Sequence, residues 1–171
     1  ESVLELSPRA IRTIPRSITP APGYRNSTGR RFALEGIRVL DLTWMLASAG
    51  GPKVASSFGA ECIRVEWRDR LDMLRGAMGV VPDDGKPVGT PTKSVNRGGY
   101  FNDINAGRRG ISLNMNTPDG KEIFKRLVEI SDVVVEGFTA TMMERWGFGY
   151  ENLKKIKPDI IYVQQSGMGK K

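Results

Sequence analysis

The sequence predicts an α/β fold, namely a Rossmann-like parallel sheet with flanking helices. Residues 34–66 read as strand, turn, helix and strand, because two short apolar segments, ending at residues 41–43 and 66, enclose a small-residue helical stretch over 53–58. Two strands joined by a helix are the basic unit of a parallel sheet. Residues 132–136 add an apolar strand without alternation, as expected when both faces of a sheet are covered.

Helices and strands continue to alternate along the rest of the chain. Residues 67–99 are rich in glycine, proline and charge, and loops of that length are often functional. Thr117 and Pro118 form a helix start, with threonine as the N-cap and proline in the first helical position. The spacing of Thr141 and Glu144 predicts a capping box. We predict short helices at 71–78 and 100–104, a strand at 110–115, helices at 117–131, 141–147 and 150–157, and a strand at 160–163.

Residues 1–33 differ from the rest of the chain. They contain four prolines, and six arginines against two glutamates. No sustained apolar period is visible in them. We therefore expect an Arg/Pro-rich arm or interdomain linker that is extended in conformation and not folded into the domain that begins at residue 34.

The composition excludes several kinds of chemistry. The chain has no histidine and a single cysteine, so Ser-His-Asp and Cys-His catalysis and the usual zinc sites are absent, and we expect no metal site. Cys62 lies within an apolar segment, which predicts a buried structural thiol in a reducing compartment. No apolar run approaches the roughly 20 residues that span a bilayer. We expect a cytoplasmic protein that binds no membrane.

A net charge of +7 and a pI near 9.8 suggest a polyanionic partner. Nucleic acid is one candidate and a phosphorylated cofactor is another. Arginine suits phosphate because its guanidinium is fork-shaped. Helix starts at Thr117 and near residues 139–141 would also offer backbone donors to anions. The arginines expected near one rim of the sheet are Arg68, Arg70, Arg75, Arg108, Arg109 and Arg145.

Polar residues stand where the predicted strands end. Asp41, Glu66, Glu136 and Gln164 should meet at one rim, because ligands of such sheets bind outside the carboxyl ends of the strands. For each carboxylate, capping of a neighbouring backbone donor is the commoner role. Glu66 lies where a dinucleotide-binding unit places its ribose-binding acid, but the first turn lacks the G-x-G-x-x-G pattern.

Seven sequence blocks occur in an order that resembles the N-terminal part of the class III CoA-transferases, the group that contains formyl-CoA transferase and carnitine CoA-transferase. The resemblance covers residues 34–169. The blocks are residues 36–43, 59–66, 105–113, 117–120, 132–138, 145–148 and 158–167.

The resemblance implies coenzyme A binding on the predicted rim. Trp67 and Arg68 match positions that hold the adenine and phosphate end in the family. Gly137 departs from the family, which usually has Asn there, and Leu46 stands where a polar residue is common. The loop at 80–99 is longer than the family pattern. The residues that match CoA-binding positions are Met45, Leu46, Ala47, Trp67, Arg68, Leu113, Asn114, Met115, Asn116, Gly137, Phe138, Met142 and Arg145.

The resemblance also implies the reaction, in which acyl-CoA and a carboxylic acid are the partners and the fold forms an interlocked homodimer. The family's nucleophile is an aspartate that lies after the Ser-Gly-x-Gly turn, here residues 166–169, so we expect it beyond Lys171 and no catalytic residue within the chain. The carboxylate attacks the thioester to give a mixed anhydride, and CoA thiolate then returns to give an enzyme thioester.

Three alternatives stay open from the sequence. The first is an acyl-CoA racemase of the same fold, whose acid–base pair would include a histidine beyond Lys171. The second is a basic binding module without catalysis, for nucleic acid or an acidic protein, although we expect no nucleic acid. The third is a tandem enzyme in which residues 1–33 link an upstream copy to this one.

Overall fold

A five-stranded sheet forms the centre of the protein in the computed structural model, which describes residues 29, 31–76, 96–167 and 169. All four strand pairings are parallel, and the order is β3-β2-β1-β4-β5. This confirms the predicted α/β fold with a parallel sheet. The strands are β1 (Arg38–Leu42), β2 (Glu61–Glu66), β3 (Arg108–Ser112), β4 (Val133–Glu136) and β5 (Ile161–Gln164).

The chain runs outward from β1 through β2 to β3 and then crosses to β4 and β5 on the other side. The strand order therefore reverses at β1, where sheets of this kind leave a crevice for ligands. A 3₁₀ turn at Met73–Arg75 follows β2. The helices are α1 (Met45–Ser57), α2 (Gly99–Ile104), α3 (Pro118–Glu129), α4 (Met142–Trp146) and α5 (Tyr150–Ile156).

Helix α1 is longer than the sequence predicted. The pattern Gly50-Gly51-Pro52 indicated a turn before a helix at 53–58, but all three residues lie inside α1. The buried face of this helix is formed by Ser48, Ala49 and Pro52, whose small side chains allow close packing on the sheet. Tertiary packing thus overrides the poor helix propensity of glycine and proline here.

Helix starts differ in how well the sequence predicted them. The N-cap at Thr117 is confirmed, because its Oγ1 accepts the amide of Gly120 at 3.1 Å. The capping box at Thr141 is wrong, since its side chain makes no cap bond. The reason is the backbone of Thr141, whose ψ of 4° is far from the extended conformation that an N-cap adopts.

Other boundaries shift by a few residues. Strand β3 begins at Arg108 and ends at Ser112, earlier than the predicted 110–115. The predicted helix at 71–78 is only the 3₁₀ turn as far as the structure describes it, and residues 77–95, including most of the predicted long loop, lie outside the described residues. The predicted arm also lies outside them, apart from residues 29 and 31–33.

Helices cover both faces of the sheet. The larger core joins Leu40 and Leu42 of β1 to the buried face of α3, which includes Phe124 and Leu127. A smaller cluster on the opposite face contains Val39, Ala60, Cys62 and Val135, with Ala55 of α1 packed against it. The alternation of Val39, Leu40 and Leu42 between the two clusters follows from the period of two in a strand.

Cys62 is buried as predicted. Its side chain is 1% exposed, and Sγ lies 3.4 Å from the carbonyl oxygen of Pro52. Burial, with the nearby charge of Asp41, raises the pKa of this thiol to about 12. A thiol with that pKa stays protonated, which suits packing and not nucleophilic chemistry.

The described ranges contain no helix with the length and apolar character needed to cross a bilayer.

Candidate functional site

The carboxyl ends of the strands meet at one edge of the sheet. The pairing register places Glu136 between Leu42 of β1 and Gln164 of β5, and it places Glu66 beside Ser112. The predicted polar rim is therefore confirmed. The carboxylates at this rim, however, mostly accept hydrogen bonds or form ion pairs with other residues of the chain.

Glu136 is fully buried at the end of β4. One of its oxygens accepts the Phe138 amide at 2.6 Å, and the other accepts the Tyr162 hydroxyl at 3.0 Å. Burial, with the adjacent Glu136 carboxylate, raises the pKa of Tyr162 above its ordinary range. This carboxylate therefore holds the turn that follows β4 in place.

Asp41 is buried at the end of β1. One oxygen accepts both the amide and the hydroxyl of Thr43, at 2.8 and 2.5 Å, and the other accepts Nη1 of Arg108 at 2.8 Å. Burial raises the pKa of Asp41, while Arg108 and the two bonds from Thr43 favour its ionised form. The carboxylate acts as a structural cap, as the sequence favoured.

A buried ionic network follows β2. The guanidinium of Arg64 contacts Glu66 at 3.0 Å and Asp72 at 2.6 Å. Arg75 donates to both oxygens of Glu66, at 2.9 and 2.7 Å, and its guanidinium lies 3.8 Å from the ring centre of Phe101. Although burial would raise the pKa of Glu66, bonds from Arg75 and the Asp72 amide and the charge of Arg64 keep it below its ordinary value.

Asp72 connects this network to the start of α1. Its Oδ2 accepts the amide of Met45 at 3.1 Å, and its Oδ1 accepts the amide of Leu74 at 2.9 Å. Met45 has a φ of +62°, the one positive value at a residue other than glycine within the described ranges. Left-handed backbone at an unbranched residue is uncommon and needs such support from its surroundings.

Three of the six rim arginines are not placed to bind an anion, which corrects the sequence prediction. Arg75 lies in the ionic network, and the side chain of Arg108 is 1% exposed and also donates to the carbonyl of Ala49. Arg109 stands in the first half of β3 and lies 3.4 Å from Glu61. The sequence missed this because partner choice depends on contacts between distant segments. Arg68, Arg70 and Arg145 are exposed near the rim.

A cavity of about 220 Å³ opens at this edge of the sheet. Its walls are mainly apolar and include an aromatic side, and the three tryptophans of the chain all line it. The lining residues are Leu42, Trp44, Val65, Glu66, Trp67, Arg70, Leu113, Asn114, Met115, Asn116, Phe138, Met142 and Trp146.

Aromatic contacts hold one wall of the cavity together. The Phe138 ring meets Trp44 edge to face at 5.7 Å and Trp146 at 5.3 Å between ring centres. The indole of Trp44 donates to the carbonyl of Val65 at 3.3 Å, and the indole of Trp146 donates to Asn116 at 3.0 Å. Both indole N–H groups are therefore bonded within the protein, which leaves ring faces and edges for a ligand.

Seven of the thirteen sequence-predicted CoA-binding residues line the cavity. They are Trp67, Leu113, Asn114, Met115, Asn116, Phe138 and Met142.

The other six predicted residues lie outside the cavity lining. Met45 and Leu46 are exposed at the start of α1, at 46% and 41%. Exposed Ala47 accepts a bond from Gln165 at 3.2 Å. Arg68 is exposed, and the Arg145 guanidinium lies 3.6 Å from the Met142 sulfur. The last of the six, Gly137, lies against helix α1.

Sequence reasoning missed two aromatic residues of the cavity. Trp44 directly follows the polar end of β1, and that position alone could have marked it as a rim residue. Trp146 stands four residues after Met142, one helical turn along, so both point to the same side of α4. Neither the position of Trp44 nor the spacing of Trp146 identifies a cavity residue unless the fold is known.

A family model described as CoA-transferase family III matches residues 34–171. The chain belongs to CoA-transferase family III. Within this family, a succinyl-CoA:mesaconate CoA-transferase of Haloarcula marismortui is 39% identical over 137 residues, which are 80% of this chain and 32% of that protein. A formyl-CoA:oxalate CoA-transferase of Afipia carboxidovorans is 34% identical over 80% of this chain and 30% of that protein. The predicted resemblance is thereby confirmed.

Solved structures resemble this family III chain as well. A crystal structure from Mycobacterium tuberculosis aligns with a TM-score of 0.67 and 29% identity, covering 81% of this chain and 35% of that one. A CAIB/BAIF family protein from Brucella suis aligns with a TM-score of 0.66 and 29% identity, covering 79% and 33%. The chain thus spans about a third of the length of the relatives it matches.

Proposed function

We propose that this chain forms the CoA-holding part of a CoA-transferase that moves CoA between carboxylic acids. The aromatic cavity at the carboxyl ends of the strands is the observation that carries the proposal. Family membership supports CoA as the ligand, and the cavity contains seven of the residues that match CoA-binding positions.

The residues around the cavity fit the chemistry of CoA. Flat aromatic walls suit the adenine ring, since stacked or edge-on ring contacts add favourable energy to burial. Exposed Arg68 and Arg70 stand beside Trp67 and can pair with phosphate oxygens. The start of α1, with Met45 and Leu46 exposed, adds the positive end of a helix dipole.

The carboxylates at the rim of the described sheet are bonded within the protein, which favours a nucleophile outside the described residues. Asp41 and Glu136 are buried and accept bonds from Thr43 and Phe138, and Glu66 is paired with two arginines. A carboxylate that attacks a thioester must be free to approach the carbonyl carbon, and none of these three is. We therefore propose that the nucleophile is an aspartate beyond Lys171. The whole enzyme is proposed to be an interlocked cytoplasmic homodimer that acts on acyl-CoA and a carboxylic acid.

The proposal is tested by titrating the chain with CoA while measuring heat and tryptophan emission. We expect saturable binding and a change in emission, because all three tryptophans line the cavity. Arg70→Ala should weaken CoA binding about tenfold through loss of a charge-assisted contact. Arg109→Ala is the matched control, because that arginine lies away from the rim, and it should bind CoA as the wild type does.

Two further ligands separate the competing functions. Adenosine tests for a purine site without phosphates and should bind more weakly than CoA. A single-stranded oligonucleotide tests the basic binding module. If the oligonucleotide changes the emission and CoA does not, the CoA-holding function is refuted.

A further inference from the structure

Gly137 lies unusually close to helix α1. A Cβ built on this glycine would stand 2.2 Å from Oγ and 2.5 Å from Cβ of Ser48. Real Cβ atoms essentially never approach other atoms so closely, so a side chain at 137 would force a movement. The turn after β4, at Gly137, therefore packs directly against the side chain of Ser48.

Ser48 has little freedom to move away. It is 5% exposed, and its hydroxyl donates to the carbonyl of Trp44 at 2.8 Å. The turn is fixed on its other side as well, because Glu136 accepts the amide of Phe138 at 2.6 Å. A group added between the two segments must displace one of them.

The residues next to this contact are the ones that form the cavity wall. Trp44 precedes Ser48 by one helical turn, and Phe138 directly follows Gly137. Their rings meet edge to face at 5.7 Å. The separation of the segments at Ser48 and Gly137 therefore sets how Phe138 meets Trp44.

We propose that Ser48 and Gly137 form a matched positioning pair that sets the width of the aromatic cavity and thereby its affinity for CoA. The serine side chain occupies the room that a side chain at 137 would need. The effect on CoA rests on the proposed function, whereas the effect on the cavity does not.

A double-mutant cycle tests the pair with the variants Gly137→Ala, Ser48→Gly and the two combined. Gly137→Ala alone should weaken CoA binding roughly tenfold, as expected for overpacking at a fixed contact. It should also increase quenching of tryptophan emission by acrylamide in the free chain. In the Ser48→Gly background the same change should alter both readouts by less than about twofold, because the obstructing hydroxymethyl group is gone.

Gly110→Ala is the control, because nothing lies within 4 Å of a Cβ at that position. It should change neither quenching nor affinity. Equal effects of Gly137→Ala in both serine and glycine backgrounds would overturn the pair, as would no effect in either. If the wild type binds no CoA, the proposed function fails, and the quenching cycle alone still decides whether the pair sets the cavity.

Discussion

At the scale of single residues, Asp72 is a buried carboxylate within the glycine-, proline- and charge-rich stretch 67–99. It is 1% exposed and joins three separate segments: it pairs with Arg64 of β2, caps Leu74 of the 3₁₀ turn and accepts the amide of Met45. That last bond lies at the left-handed backbone of Met45, whose φ is +62°. One carboxylate therefore stabilises both the charge network and the beginning of α1.

Asp72→Asn should lower the free energy of unfolding by about 3–5 kcal/mol, because it leaves the buried guanidinium of Arg64 without one of its charged partners. Urea denaturation measures this. Asp119→Asn is the matched control, since Asp119 is exposed in the first turn of α3 and contributes at most about 1 kcal/mol through the helix dipole. Equal losses in the two variants would show that Asp72 has no special role.

At the scale of elements, the helix starts show which local signals are sufficient. Thr117 caps α3 because its extended backbone brings Oγ1 to the amide of Gly120. Thr141 carries the same type of sequence signal, but its backbone does not present the side chain to α4. The ends of β1, β2 and β4 were predictable from the polar residues that close their apolar runs, whereas β3 ends three residues earlier than predicted. The start of α1 was not predictable, because the packing of Ser48, Ala49 and Pro52 on the sheet outweighs their local preference.

Thr117→Ala should lower the free energy of unfolding by about 1 kcal/mol, because the amide of Gly120 loses its acceptor. Thr141→Ala removes the same atoms from a residue that makes no cap bond, and it should cost less than about 0.5 kcal/mol. Thermal or urea unfolding of both variants measures the difference. A larger loss at Thr141 would contradict the backbone geometry described here.

At the scale of the whole molecule, helices cover both faces of the described sheet, whereas its edge strand β5 is left uncovered. Within the described sheet β5 pairs only with β4, and its Ile161 and Val163 are 58% and 42% exposed. The sequence predicted that strand and the rim but not the cavity, because Trp44, Phe138 and Trp146 come together only through the strand order. The ionic network was not predicted for the same reason, since Arg64 and Asp72 come into contact only because the chain turns back after β2.

Val163→Lys should reduce self-association of the chain, because exposed apolar edge strands favour pairing with other chains and lysine disfavours it. Sedimentation velocity over a range of concentrations measures the effect. Met73→Lys adds the same charge at a residue that is 67% exposed and far from the edge strand, and it should leave association unchanged. If both variants reduce self-association equally, the added net charge, and not the exposed edge strand, is responsible for the reduction.

The strand order also has a consequence for how the chain folds. The first strand of the described residues, β1, is the middle of the sheet. Its partner β4 follows so late that the bond which the Arg38 amide donates to Asp132 spans 94 residues. Contacts between such distant segments form slowly, because a long loop must close before they are gained. During synthesis on the ribosome, β1 can pair with β2 early but must wait for β4 with one edge uncovered. The described sheet cannot be completed before residues 133–136 are made, and slowing translation between β3 and β4 would lengthen the period in which β1 is exposed to wrong partners.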